Sequence, residues 1–245
     1  MSKMNHVVRV GAILTAVIAT SYANAEDKVL PPPYVLTGLE TVTTGVTWDE
    51  AVIKAALPKG VTPAKEMTGG INIYKTTGGF GLGAYTAAYL WVDLEGVDTP
   101  DGAKGRWILA SVYGPQKVVT SFKEFYGGGH RLGSSRQEVS EGGGVRAVGT
   151  LDGGKDVVAV EVKIDNSKCA PAAGGGNYIS AMPQTGNLVQ LPLAFAGDLC
   201  PAEVISAKVV APDGDPFAKF QPKKVNWAVA IKGGSVALSP ALARP

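Results

Sequence analysis

Residues 145–164 read VRAVGTLDGGKDVVAVEVKI, and this stretch is the clearest β-hairpin in the chain. In its second half, valines alternate with Ala159, Glu161 and Lys163, which is the period of two expected of a strand because successive side chains point to opposite faces. Asp152 and two glycines separate the halves, and these residues tolerate the positive φ that tight hairpin turns demand. The stretch therefore predicts two antiparallel strands joined by a tight turn.

The segments on both sides of this hairpin have a similar character. Short apolar runs bounded by glycines and prolines predict further strands at residues 71–74, 90–94, 107–113, 118–122, 178–182, 188–195, 204–212 and 225–231. One helix is evident, TWDEAVIKAALPKG at residues 47–60, where Thr47 and Glu50 have the spacing of a capping box. Residues 170–177, APAAGGGN, are predicted to be a flexible loop. Many short strands and a single helix predict a mainly β, α+β domain built as a barrel or sandwich.

The N-terminus has the features of a secretory signal. Lys3 and Arg9 precede or flank a short apolar run, and Ala23-Asn24-Ala25 supplies a small-x-small cleavage site. The run is shorter than the roughly 20 residues that a membrane-spanning helix needs. We therefore expect removal of residues 1–25, no stable membrane span afterwards, and a single domain at residues 26–245 that is periplasmic or secreted. A retained N-terminal anchor is the alternative.

The charge and the cysteine content limit the kinds of partner and bound group that can be expected. Removal of Lys3 and Arg9 lowers the formal charge from +2 to zero, so nucleic acid is not an expected partner. The two cysteines, Cys169 and Cys200, predict a disulfide in an exported protein. Neither has a histidine or another cysteine at ligand spacing, so we predict no metal site and no cofactor.

Residues 123–133, KEFYGGGHRLG, form the candidate functional stretch, and His130 is the one histidine outside the signal segment. Arg131 can bind an anionic group through two hydrogen bonds, and His130 can act as an acid, a base or a hydrogen-bond donor. The alternative is that both are solvated loop residues, which is the commoner fate of charged side chains in glycine-rich turns.

The order of these signals resembles the acetoacetate decarboxylase family across nearly the whole of residues 26–245. The similar segments are, in chain order, ALPKGVTP, GLGAYT, WVDLEGV, FKEFYGGGHRLG, VGTLDGGKDVVAVEV, NYISAMP and AEVISAKV. The resemblance implies a cone-like, largely antiparallel β-barrel with a few short helices, an apolar cavity and a homo-oligomer. It also implies decarboxylation through a Schiff base between a lysine and a keto acid.

The residues on which that chemistry depends are replaced in this chain. The family's adjacent lysines fall on His130 and Arg131, and its two cavity carboxylates fall on Ala87 and Asn72. Histidine cannot form the protonated imine that lysine provides, and a guanidinium is effectively never deprotonated. We therefore predict that the chain does not decarboxylate keto acids by the Schiff-base route.

Two functional classes remain open. The first is a binding protein that holds a small, largely apolar or keto/carboxylic acid ligand in the barrel cavity. Its expected ligand contacts are Arg131, Tyr85, Asn72 and Ala87.

The second class is a divergent lyase, hydratase or aldol-type enzyme acting on a carbonyl compound. His130 would be its acid or base, assisted by Glu124 or Tyr85. A buried His130 that faces the cavity within reach of Glu124 favours this enzyme, whereas an exposed ring favours binding. An oligomeric structural protein, the third possibility, predicts a cavity filled by side chains.

Overall fold

The computed structural model describes residues 29–99, 102–140 and 143–244. The predicted signal segment, residues 1–25, lies outside these ranges. From Pro31 onward the described residues form one compact unit. Its strands are β1 (Tyr34–Thr47), β2 (Thr68–Thr76), β3 (Gly78–Phe80), β4 (Tyr85–Asp93), β5 (Gly105–Gly114), β6 (Arg131–Val139), β7 (Val145–Leu151), β8 (Asp156–Ile164), β9 (Ala170–Ala181), β10 (Leu188–Val209), β11 (Lys224–Leu238) and β12 (Leu242–Ala243). Its helices are α1 (Glu50–Ala56) and α2 (Gln116–Phe125), with a 3₁₀ turn at Asn166–Lys168.

A closed ring of strands forms the body of this unit. Hydrogen bonding runs β11–β1–β2–β4–β5–β6–β7–β8–β10, and β10 pairs again with β11. The neighbouring pairs are antiparallel except that β5 is parallel to β6 and to β9. The prediction of a mainly β, largely antiparallel barrel with a few short helices is confirmed. The predicted strand at residues 188–195 and residues 204–209 of the one predicted at 204–212 belong to the single long strand β10.

The hairpin predicted for residues 145–164 is present as β7 and β8. Val145 lies opposite Val162 in this antiparallel pair. Gly153 and Gly154 have φ values of 93° and 88°, and the Leu151 amide donates to the Lys155 carbonyl at 2.8 Å. The valines of β8 are buried on the core side, so local patterning and turn chemistry agree here.

The predicted strand at residues 118–122 is wrong, because these residues lie in α2. Val118, Val119 and Phe122 are buried, and this spacing places them on one face of a helix. The two adjacent valines favour a strand locally, but packing of this face against the barrel outweighs that weak preference.

The predicted flexible loop at residues 170–177 is also wrong, since these residues form the first part of β9. They pair along their whole length with β10, from Ala170 opposite Leu199 to Asn177 opposite Pro192. A Cβ on Gly174 would lie 2.9 Å from the Phe195 ring. The glycines therefore make room for side chains of β10 rather than providing flexibility.

The cap of α1 differs from the predicted capping box. Thr47 ends β1, and the cap is Asp49, whose Oδ1 accepts hydrogen bonds from the amides of Ala51 at 2.9 Å and Val52 at 3.1 Å. A carboxylate at this position satisfies two of the free amides at the helix start.

Strands β2 and β4 are buried on both faces, and this arrangement positions the site. One face carries aliphatic residues such as Ile71, Ile73 and Leu90, which belong to a core cluster shared with β7 and β8. The opposite face carries Asn72, Tyr74, Tyr85, Tyr89 and Trp91. Because side chains alternate along a strand, the same two strands build an aliphatic core on one side and an aromatic wall on the other.

The predicted disulfide is confirmed. Cys169 is bonded to Cys200, with the Cα atoms 4.0 Å apart, and the bond joins the start of β9 to the middle of β10. Within the described residues no helix is long and apolar enough to cross a membrane.

Candidate ligand-binding cavity

A cavity of about 590 Å³ lies against the aromatic wall of β2 and β4. Much of its lining is apolar, including Leu36, Leu39, Ile108, Leu191, Ile231 and Leu238. Among the described residues that line it there is no lysine and no carboxylate. Cavities of this size and character commonly hold small molecules in proteins.

The glycine-rich stretch brings His130 to this cavity. Helix α2 ends at Phe125, and Gly127 and Gly128 follow with φ values of 74° and 91°. A Cβ on Gly127 would lie only 2.3 Å from the carbonyl oxygen of Ala181, so this backbone can approach β9 only as glycine. The Gly128 amide donates to the same oxygen at 3.2 Å. The chain therefore turns tightly against the end of β9 before β6 begins.

His130 is buried, with 5% of its surface exposed, and it lines the cavity. Its Nδ1 lies 2.8 Å from the hydroxyl oxygen of Ser111. The ring meets Tyr113 and Phe122 edge-on, at centroid distances of 4.9 and 5.7 Å. Burial lowers the pKa of His130 to about 4; a backbone hydrogen bond with Gly127 opposes this shift, and the charge on Lys123 adds to it. At neutral pH the imidazole is therefore an uncharged hydrogen-bonding group.

Asn72 and Tyr85, two further predicted contacts, also line the cavity. Asn72 Oδ1 accepts hydrogen bonds from the hydroxyls of Thr41 at 2.6 Å and Thr43 at 2.7 Å. The Tyr85 hydroxyl lies 2.8 Å from that of Tyr74. These bonds orient both side chains.

The other three predicted site residues do not reach the lining. Ala87 is fully buried within the neighbouring aromatic cluster. Glu124 is exposed on α2, so the structure does not place it beside His130. Arg131 donates from its two terminal nitrogens to the Asp215 carboxylate at 2.8 and 3.1 Å and covers the Phe217 ring. His130, Asn72 and Tyr85 are brought together, whereas Glu124 and Arg131 lie elsewhere.

The cavity contains a cation that the sequence did not single out. Arg106, in β5, lines the cavity. Its guanidinium carbon lies 5.1 Å from the centroid of the Trp91 ring, and its Nε lies 3.5 Å from Asp93 Oδ1. Tyr178 lines the cavity as well. Arg106 and Tyr178 are register partners in the parallel pair β5–β9, and no local pattern reveals a pairing between such distant segments.

No group of three or more histidine, cysteine or acidic side chains that could hold a metal ion occurs in the part of the chain that the structure describes.

Comparison with known proteins places this geometry in a fold family. No family model and no curated protein sequence matches the chain. Its structure is similar to that of acetoacetate decarboxylase from Legionella pneumophila, with a TM-score of 0.72, 13% sequence identity and 88% of each chain covered. The chain has the acetoacetate decarboxylase-like fold.

Two further solved structures are also similar to the structure of this chain. The enduracididine biosynthesis enzyme MppR, in complex with pyruvate, has a TM-score of 0.66 and 13% identity, with 87% of this chain and 91% of MppR covered. An acetoacetate decarboxylase-like enzyme from Sphingomonas wittichii RW1 has a TM-score of 0.63 and 15% identity, with 89% and 95% covered. The resemblance predicted from the sequence is thus confirmed for the fold. Similarity at these identities carries no statement about activity.

Proposed function

We propose that this acetoacetate decarboxylase-like chain binds a small, largely apolar ligand with a keto or carboxylic acid group and does not decarboxylate it through a Schiff base. The observation that carries this proposal is the lining of the cavity. The cavity has a volume of about 590 Å³, its lining is mostly apolar, and the described residues of this lining include no lysine.

Amine chemistry needs a lysine whose uncharged form can reach the substrate carbonyl. The resemblance to the family leads us to expect its adjacent lysines at His130 and Arg131, and of these two residues His130 lines the cavity. The nearest lysine in this stretch, Lys123, is exposed on α2. An imidazole cannot take over the role of a lysine, because it does not form the protonated imine that withdraws electrons during loss of carbon dioxide.

We further propose that the protein acts in the periplasm or outside the cell as a homo-oligomer. Export is supported by the signal features of residues 1–25 and by the Cys169–Cys200 disulfide, since such bonds persist in oxidising compartments. Oligomerisation is supported by the resemblance to the family.

Native mass spectrometry of protein purified from its own host tests binding and assembly together. We expect a small molecule to be retained, with a mass that fits a cavity of this size, and a spectrum of more than one subunit. Protein that is empty and that also binds none of a panel of keto acids, fatty acids and apolar alcohols would refute the binding function.

Trapping with borohydride tests the chemical part of the proposal. Incubation with acetoacetate and borohydride should leave every lysine unmodified in the intact mass spectrum, because no lysine lines the described cavity. An enzyme with an authentic Schiff-base lysine serves as the positive control. Irreversible modification of one lysine in this chain would contradict the proposal.

A second candidate function, acid–base catalysis by His130, is favoured by one observation: the ring is buried and faces the cavity. Two others count against it. Glu124 is exposed on α2, and a pKa lowered to about 4 makes the His130 ring a weak base. Exchange of the α-protons of keto acids into deuterated water, followed by proton NMR, separates the candidates. The binding function predicts no protein-dependent exchange, whereas exchange that His130→Gln abolishes would establish the enzyme.

A further inference from the structure

One wall of the cavity carries more hydrogen-bond donors than the described residues satisfy. It contains Asn72, Tyr89, Trp91, Arg106 and Tyr178, contributed by β2, β4, β5 and β9. The donors of this wall can be counted one by one, because its side chains are linked in a chain of hydrogen bonds.

The count starts from the amide of Asn72. Its Oδ1 accepts from Thr41 and Thr43, which orients the amide so that Nδ2 donates to the Tyr89 hydroxyl at 2.8 Å. The Tyr89 and Tyr178 hydroxyls are 2.8 Å apart, and one phenol proton is enough to make that bond.

The second phenol proton of this pair has no acceptor in the wall. Arg106, the register partner of Tyr178, cannot accept that proton, because arginine can only donate hydrogen bonds. Asn72 likewise donates to Tyr89. Whichever phenol donates within the pair, the proton of the other has no protein acceptor among the hydrogen bonds of the described residues.

Two further donors of the same wall are incompletely satisfied. Trp91 is 2% exposed, and its Nε1 is buried without a hydrogen-bond partner among the described residues. Arg106 Nε has no hydrogen bond either, although it lies 3.5 Å from the Asp93 carboxylate. That ion pair uses Nε, so it does not occupy the terminal nitrogens of the guanidinium. Trp91 Nε1 and Arg106 Nε are both enclosed by the protein, whereas the Arg106 side chain as a whole is 31% exposed. Because buried donors without acceptors are costly and uncommon in proteins, the terminal nitrogens of Arg106 and the spare phenol proton favour a ligand that supplies acceptor oxygens.

We propose that Arg106 and the Tyr89–Tyr178 pair form the subsite that binds the carboxylate of an apolar monocarboxylic acid. The apolar chain of the ligand then extends along the aliphatic part of the lining, for which Leu191 and Ile231 are examples. This inference rests on the proposed binding function and makes it more specific, since it assigns the acid group to Arg106 in place of the expected Arg131. The reason is that Asp215 already engages Arg131 outside the lining.

Calorimetric titration with octanoate, octan-1-ol and octylamine tests the subsite. The three probes share one hydrocarbon chain and differ in the head group. We expect octanoate to bind about tenfold or more tightly than octan-1-ol, and octylamine to bind least tightly, because a charge-assisted hydrogen bond contributes more than a neutral one. Equal affinities for octanoate and octan-1-ol would overturn the subsite and leave the binding function standing. Failure of all three probes to bind would overturn both.

Variants locate the interaction. Arg106→Gln should weaken octanoate binding about 10- to 100-fold and change octan-1-ol binding by less than about threefold. Arg146→Gln is the matched control, since Arg146 lies in β7 outside the lining and its ion pairs with described residues are long, at 3.8 and 3.9 Å. This variant should change neither affinity. An unchanged octanoate affinity in folded Arg106→Gln would overturn the proposal. If Arg106→Gln does not fold, octanoate affinity is measured on Arg106→Lys, which keeps the charge. That affinity and the head-group preference of the natural chain then test the subsite.

Discussion

Replacing His130 with glutamine should remove a contribution to stability that is sensitive to acid. Burial lowers the pKa of His130 from its ordinary value of 6.5 to about 4 in the folded chain. The unfolded chain therefore binds this proton more tightly than the folded chain does. It follows that the contribution is present in full above about pH 6.5, falls progressively below it, and is lost completely once the pH has fallen through about 4.

The size of this effect follows from the difference between the two pKa values. One unit corresponds to about 1.4 kcal/mol, so the full contribution is about 3 kcal/mol. Between neutral pH and about pH 5, most of the unfolded histidines become protonated while the folded ones remain neutral. The natural chain should therefore lose about 2 kcal/mol through this group alone over that interval.

Urea unfolding followed by circular dichroism, at about pH 7.5 and about pH 5, measures this loss. Glutamine keeps a polar group near Ser111 but does not titrate, so the loss should be smaller by about 2 kcal/mol in His130→Gln. All other titrating groups are common to both proteins, and their effects cancel in the difference. Ser111→Ala is the control, because it removes the hydrogen-bond partner of Nδ1 but leaves the ring buried, and the acid sensitivity should persist. Equal losses in the natural chain and in His130→Gln, or an NMR titration that gives His130 an ordinary pKa, would refute the reasoning.

Three further predictions concern the frame of the site. Replacing both Cys169 and Cys200 with serine should lower the free energy of unfolding by about 4 kcal/mol in the chain-entropy model, because the bond spans 31 positions. The variant and the reduced natural chain should have the same melting temperature in thermal melts. A melting temperature equal to that of the oxidised natural chain would contradict this prediction. Arg131→Gln should lower the free energy of unfolding in urea by about 1–3 kcal/mol, because it leaves the Asp215 carboxylate buried without its partner. The affinity for octanoate should stay within about twofold of that of the natural chain. A large loss of affinity would instead restore Arg131 as a ligand contact. Gly127→Ala should destabilise the chain by more than about 1 kcal/mol, since φ is 74° and the new Cβ would collide with the Ala181 carbonyl; a neutral result in the same assay would show that this turn can relax.

Much of the barrel was predictable because its signals are local. The alternation in residues 145–164 and the glycine turn between the strands need no distant partner, and both are present as predicted. The cysteine pair was readable from composition and the expected compartment alone. Residues 118–122 were not predictable in the same way, because adjacent valines favour a strand until the barrel offers a surface for one helical face. The glycines of β9 wrongly indicated a flexible loop for a related reason. The absence of a side chain there makes room for Phe195 of the neighbouring strand.

The candidate site was likewise predictable only in part from the sequence. The sequence by itself determined the residue identities: His130 and Arg131 stand where the resemblance leads us to expect the family's adjacent lysines, and Ala87 and Asn72 where it leads us to expect its two carboxylates. Only the tertiary structure decided which arginine lines the cavity. Arg131 follows His130 in the candidate stretch, and Arg106 comes just before the predicted strand at residues 107–113, but in the closed barrel Arg131 is bonded to Asp215 and Arg106 lies beside Tyr178. The direction of a side chain at a strand end depends on register and on pairing with distant strands, and neither is written in the neighbouring residues.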